Sequence, residues 1–208
     1  FPVFYAKDSD VWDPEKVIEG LGEKWMIQNY DLKPYPCCRF LHSILDAFYA
    51  LKSKHKLNAD DIDAIRCYTS SFVAHPDQYF VSNQIDAQFS GPYNIALAAL
   101  NYKPGPAWQD KNALSDPEVH KLMKKVSMFV APEYVEHKKK HHLAWYGRVE
   151  VDIHGETLVE TNIFPKGIGM KGYALTDEEL KDRFRTCASV VLTESKIEKA
   201  IELIMNIE

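Results

Sequence analysis

Lys33-Pro34-Tyr35-Pro36-Cys37-Cys38-Arg39-Phe40-Leu41-His42 places two cations, two thiols and an imidazole around the start of a helix. The first turn of a helix leaves N–H groups unpaired and carries partial positive charge, so it attracts carboxylate or phosphate. Lys33 adds a point charge and Arg39 a two-pronged donor, while the prolines stiffen the approach. The same residues also read as solvated cations beside packing thiols, and the stretch alone leaves both readings open. His42, beside an apolar stripe, is either a hydrogen-bonded structural residue or an acid–base group. Tyr93 follows Gly91-Pro92 at the start of an apolar helix, where its hydroxyl could meet an anion, donate a proton or merely cover the helix end.

Two other motifs carry less. Gly167-Ile168-Gly169-Met170-Lys171-Gly172 matches GxGxxG by letter, but a dinucleotide site needs the helix to begin inside the motif. Here the next cap is Thr176, and Asp177, Glu178 and Glu179 fill the first turn and would repel a pyrophosphate; a flexible loop fits better. His137-Lys138-Lys139-Lys140-His141-His142 has histidines four apart, but no third ligand is positioned and three lysines oppose a cation, so a solvated loop or helix end is expected.

These residues must be held by elements that the periodicity outlines. Asp13-Pro14-Glu15 opens a short helix that Gly20-Leu21-Gly22 stops, and Trp25 to Tyr30 reads as extended. Leu41, Ile44, Leu45, Phe48 and Leu51 form one buried stripe of a long helix. Asp63 to Val73 reads as a strand. Ser90-Gly91-Pro92 opens a helix whose body, Ile95 to Leu100, has no polar face and is therefore buried. A Pro/Gly loop spans Asn101 to Gln109, a helix runs from Ser115 through Lys125, and Val126 to Val130 is a strand candidate. Tyr146 to Ile153 and Thr157 to Ile163 alternate with period two around His154-Gly155-Glu156, a hairpin signal. Thr176 to Glu179 is a capping box, and Thr193 starts a last helix with Ile197, Ile201, Ile204 and Met205 on one face. This irregular order with an antiparallel hairpin predicts an α+β fold, a mixed or antiparallel sheet with packed helices.

The 208 residues carry a net charge of −5 and are 46% hydrophobic. An acidic chain gives no general reason to expect nucleic acid, and no apolar run approaches the roughly 18–20 residues that span a bilayer. The four cysteines, Cys37, Cys38, Cys67 and Cys187, are too few for a disulfide scaffold in a chain of this length, which suggests a reducing, intracellular compartment. The chain opens on Phe1-Pro2-Val3-Phe4 without a methionine, so it is expected to be processed or part of something longer.

Gly22-Glu23-Lys24-Trp25, the Lys33–Arg39 stretch with His42 and Asp46, and Ala87-Gln88-Phe89-Ser90-Gly91-Pro92-Tyr93-Asn94-Ile95-Ala96 resemble the signatures of the 2-methylcitrate dehydratase and cis-aconitate decarboxylase (MmgE/PrpD) family. Asp116 to Val119, the hairpin and Phe164-Pro165-Lys166-Gly167 fall in that family's order. The resemblance implies a metal-free, cofactor-free lyase or isomerase of small di- and tricarboxylates, built from a helical domain and an α+β lid with the site between them. Residues 1–27 would end the helical domain, 28–172 would form the lid, and 173–208 would return to the helical domain. Lys33 would be the lid lysine and Tyr93 the lid tyrosine, a proton donor or second anchor, while His42 matches the motif histidine. Lys33 with Cys37, Cys38 and Arg39 would hold a substrate carboxylate. Lys166 is a further candidate contact, in a glycine-rich loop that departs from the family's usual acidic one. The missing N-terminal half would supply the base and a homodimer interface, and the location would be cytoplasm or mitochondrial matrix. The alternative is a fragment or stand-alone lid that only binds a carboxylate or a partner.

Overall fold

Pro34 and Pro36 keep the chain out of helical conformation until Arg39–Leu41, which closes as a 3-10 turn. The first long helix therefore begins one residue after Leu41, at His42. The computed structural model describes residues 13–25 and 30–207, so most of the expected extended segment and the residues at the chain start lie outside the described residues. The chain divides into two compact units, residues 1–30 and 31–208. In the first, helix α1 (Pro14–Ile18) is capped by Asp13, whose carboxylate accepts from the Glu15 amide.

In the second unit, α2 (His42–His55) buries Ile44, Leu45, Phe48 and Leu51, the stripe that the spacing predicts. It lies on a four-stranded sheet with order β2-β1-β3-β4: β1 (Ile62–Thr69), β2 (Val126–Val130), β3 (Gly147–Ile153) and β4 (Glu156–Asn162). β1 and β2 pair in parallel, and the other two pairs are antiparallel. The fold is α+β with a mixed sheet, as expected. His154 and Gly155 both have positive φ, the conformation that a two-residue hairpin turn requires. Ile65, Cys67, Val149 and Val151 alternate into the core, while Arg66 on the other face makes a two-pronged pair with Asp152 and a third bond to Glu150. Gly147 starts β3 where α2 passes closest: a Cβ there would sit 2.6 Å from the Ile44 amide nitrogen.

The parallel β1–β2 crossover contains α3 (Gln84–Phe89), α4 (Gly91–Ala99), α5 (Lys111–Ser115) and α6 (Pro117–Met123). Every residue of α4 is buried, as an all-apolar helix must be. The periodicity does not reveal α3 and α5, which are too short for a repeat and start from the side-chain caps Asn83 and Asp110. β1 ends at Thr69, short of Val73, because Ser70 to Ala74 closes a turn. After β2 comes α7 (Pro132–Lys140), so the histidine–lysine run is a helix end. There His137 stacks on Tyr146, and Lys138 lies over the Trp145 ring. Helix α8 (Asp177–Ala188) begins with the expected capping box, and α9 (Glu194–Met205) follows. On α9, Ile197 and Ile201 are buried, whereas Leu203, Ile204 and Met205 remain about half exposed. Among the described residues no helix is long and apolar enough to cross a membrane.

Candidate functional site

The turn between Lys33 and His42 folds onto itself around the Cys37 carbonyl. Lys33 is exposed and spends one of its three donors on that oxygen, 3.2 Å away. His42 is fully buried, its Nε2 lies 3.4 Å from the same oxygen, and its Nδ1 faces an Arg39 nitrogen at 3.5 Å. A guanidinium only donates, so Nδ1 accepts and Nε2–H donates to Cys37. Burial pushes the imidazole down to about 3, with Arg39, Lys33 and Arg183 adding positive charge that disfavours protonation. His42 is therefore a neutral, positioned group at ordinary pH.

Tyr35 is the other fixed point of the turn. Its ring stacks against Tyr49 and Trp108 and meets His42 edge-on. Its hydroxyl donates to Asp46 at 2.7 Å. Asp46 stands one helical turn after His42, on the same face of α2. Its other oxygen accepts the Lys166 amide, also at 2.7 Å. Burial raises the Asp46 carboxyl, against the two hydrogen bonds and the charges of Arg39 and Lys166.

Arg39 closes the same junction from the other side. It donates to the carbonyls of Leu32 at 3.1 Å and Lys166 at 3.3 Å, with Asp31 at 3.8 Å. The glycine-rich loop is thus tied down rather than flexible: Leu32 N–H donates to Gly167, Gly169 N–H donates to Asp31, and Ile168 is fully buried. Only glycine fits at 167. Its φ is +87°, and a Cβ would sit 1.9 Å from the Leu32 oxygen.

A cavity of about 490 Å³ opens beside this junction, lined among others by Tyr35, Asp46, Lys103, Lys166, Glu179 and Arg183. Lys166 pairs with Glu179 at 3.1 Å, and Arg183 donates to the Pro34 carbonyl at 2.8 Å. Such an arrangement can hold and orient a small anion, with fixed donors and partly desolvated cations.

The structure brings Lys33, Cys37, Cys38, Arg39, His42 and Lys166 together, and Lys166 lines the cavity. Their parts differ from expectation. The Cys38 amide donates to the Gln88 carbonyl. Cys37 is buried, and its thiol is pushed up by that burial. Arg39 is occupied in joining loops. Tyr93 does not line the cavity: it is fully buried, and its hydroxyl donates to the carbonyl of Trp108, whose ring stacks on Tyr35, at 2.8 Å. A hydroxyl committed to the main chain inside the core is not placed to give a proton to a substrate, so the expected donor role does not match this geometry. Sequence reasoning gave no role to Tyr35, Lys103 or Arg183. The proline-flanked aromatic was a signal for Tyr35. Nothing local marked Arg183, whose partner Pro34 is 149 residues away.

Comparison with known proteins adds an independent finding. A family model described as the MmgE/PrpD C-terminal domain matches residues 35–208. A cis-aconitate decarboxylase from Aspergillus terreus (strain NIH 2624 / FGSC A1156) is 25% identical over 207 residues, covering 93% of this chain and 41% of the relative. A second cis-aconitate decarboxylase from Aspergillus terreus is 23% identical over 206 residues with the same coverage. The chain thus spans about two fifths of the length of the curated relatives it matches.

Proposed function

Because the chain belongs to the MmgE/PrpD family, which includes lyases such as cis-aconitate decarboxylase, we propose that it is the lid-bearing part of a lyase for small di- and tricarboxylates. Both reported relatives are cis-aconitate decarboxylases, which favours decarboxylation of a cis-aconitate-like acid over dehydration of a 2-methylcitrate-like one. The observation that carries the reading is the cavity beside the Lys33–His42 turn, whose lining includes three cations, Lys103, Lys166 and Arg183. Loss of carbon dioxide, or removal of a proton beside a carboxylate, builds negative charge. Preorganised cations and donors lower the barrier by meeting that charge where it develops.

Residues divide the work as follows. Lys33 has two donors left after Cys37 and binds a substrate carboxylate. Lys166 meets the substrate from the cavity side. His42 and Arg39 act through others: His42 fixes the Cys37 carbonyl that holds Lys33, and Arg39 joins the Lys33 and Lys166 segments. The base comes from the remainder of a longer protein, against which 173–208 also pack.

The test is Lys33→Ala in the full-length protein, assayed with cis-aconitate, methylcitrate, citrate and iminodisuccinate. Loss of one such donor is expected to lower kcat/KM by about 10²–10³ for the preferred acid. Unchanged kcat/KM removes Lys33 from the site, and no turnover of any of these acids by the wild-type protein overturns the lyase reading.

A further inference from the structure

Helix α8 does more than follow the glycine-rich loop. Glu179, Asp182, Arg183 and Thr186 recur at helical spacing, and this stripe lines the cavity. Three carboxylates are at hand there, and each has another partner. Asp46 accepts from Tyr35 and the Lys166 amide, Glu179 pairs with Lys166, and Asp182 pairs with Arg185 at 3.0 Å. Arg183 is half-buried, and among the described residues it is in no ion pair; its one bond goes to the Pro34 carbonyl. Four of its five N–H donors remain. Lys103, exposed on the cavity's lining, has no hydrogen-bond or ionic partner among the described residues. A guanidinium with free donors on a cavity lining is placed to receive a carboxylate in a two-pronged pair.

We propose that Arg183 is a substrate-binding residue of this site, receiving one carboxylate of a small polycarboxylate in a two-pronged pair, with Lys103 as a second cation beside it. The inference rests on the polycarboxylate reading above and deepens it: one carboxylate meets Lys166 and another reaches Arg183, two cations on the lining of the same cavity. Tricarboxylates are then preferred to shorter acids because they span both cationic ends.

Isothermal titration of the full-length protein with tricarballylate and with the shorter malonate tests this, using wild type, Arg183→Met and Arg183→Lys. Arg183→Met is expected to raise the Kd for tricarballylate about ten- to a hundredfold, the worth of a charge-assisted pair, and to reduce the preference for tricarballylate over malonate. Arg183→Lys keeps the charge but not the fork, and should recover part of the affinity. Wild-type affinity for tricarballylate in Arg183→Met, or equal weakening toward both acids, overturns the proposal, because a purely structural loosening does not change selectivity. Should Arg183→Met not fold, wild-type affinity in Arg183→Lys overturns the two-pronged pairing. Binding of neither acid by the wild-type protein instead removes the polycarboxylate reading itself.

Discussion

Gly167→Ala separates two effects that usually arrive together, backbone strain and close approach. Gly167 and Gly172 have nearly the same φ, +87° and +88°, and lie on one loop. A Cβ at 172 meets nothing within 4 Å, whereas at 167 it falls 1.9 Å from the Leu32 oxygen. Alanine at either position bears the left-handed strain, about 1–2 kcal/mol. At 167 the Leu32 strap must also retreat by about 1.5 Å to restore van der Waals contact. That movement breaks the 2.8 Å Leu32 to Gly167 hydrogen bond and loosens the two Arg39 bonds across the same junction. At about 1 kcal/mol each, the additional loss is about 2–3 kcal/mol. Urea unfolding of the full-length protein should therefore show Gly167→Ala about 2–3 kcal/mol less stable than Gly172→Ala. Its KM should rise as well, because Lys33 and Lys166 are held in register by this junction. Equal midpoints and equal slopes for the two variants would refute the claim that close packing of the strap and loop fixes the site.

Two further outcomes follow from buried groups. The folded-state pKa of His42 is depressed to about 3 from an ordinary 6.5, so its stabilising contribution is complete above pH 6.5 and is lost as pH falls toward 3. The loss is about 1.4 kcal/mol per pH unit within that window; His42→Gln should flatten this part of the stability profile, and an unchanged slope would contradict the buried neutral imidazole. Tyr93→Phe should cost about 1–2 kcal/mol through the Trp108 carbonyl it leaves unpaired. It should leave kcat/KM near wild type at temperatures where the variant is folded; a large drop in kcat would instead restore Tyr93 as a proton donor.

Much of the fold was legible because local rules and burial agree. The α2 stripe, the apolar α4, the 154–155 hairpin and the Thr176 capping box each follow from spacing or caps that act within a few residues. Helices α3 and α5 escaped because about one turn of helix leaves no period to read. The Lys33–His42 motif was visible as a cluster of chemical types, and its likeness to a family was visible with it.

The sequence by itself determined the class of fold, the cationic turn and the residues able to meet a carboxylate, because these depend on neighbours a few positions apart. Tertiary structure alone decided which of them share a site. Asp46 and Arg39 join Lys166 to a turn more than a hundred residues earlier, Arg183 reaches Pro34, and Tyr93 turns its hydroxyl into the core. The physical reason is that desolvation and hydrogen-bond satisfaction depend on what packs around a group in space. A tyrosine or an arginine has the same composition in a wall, a clamp or a core, and only its surroundings fix which role it takes.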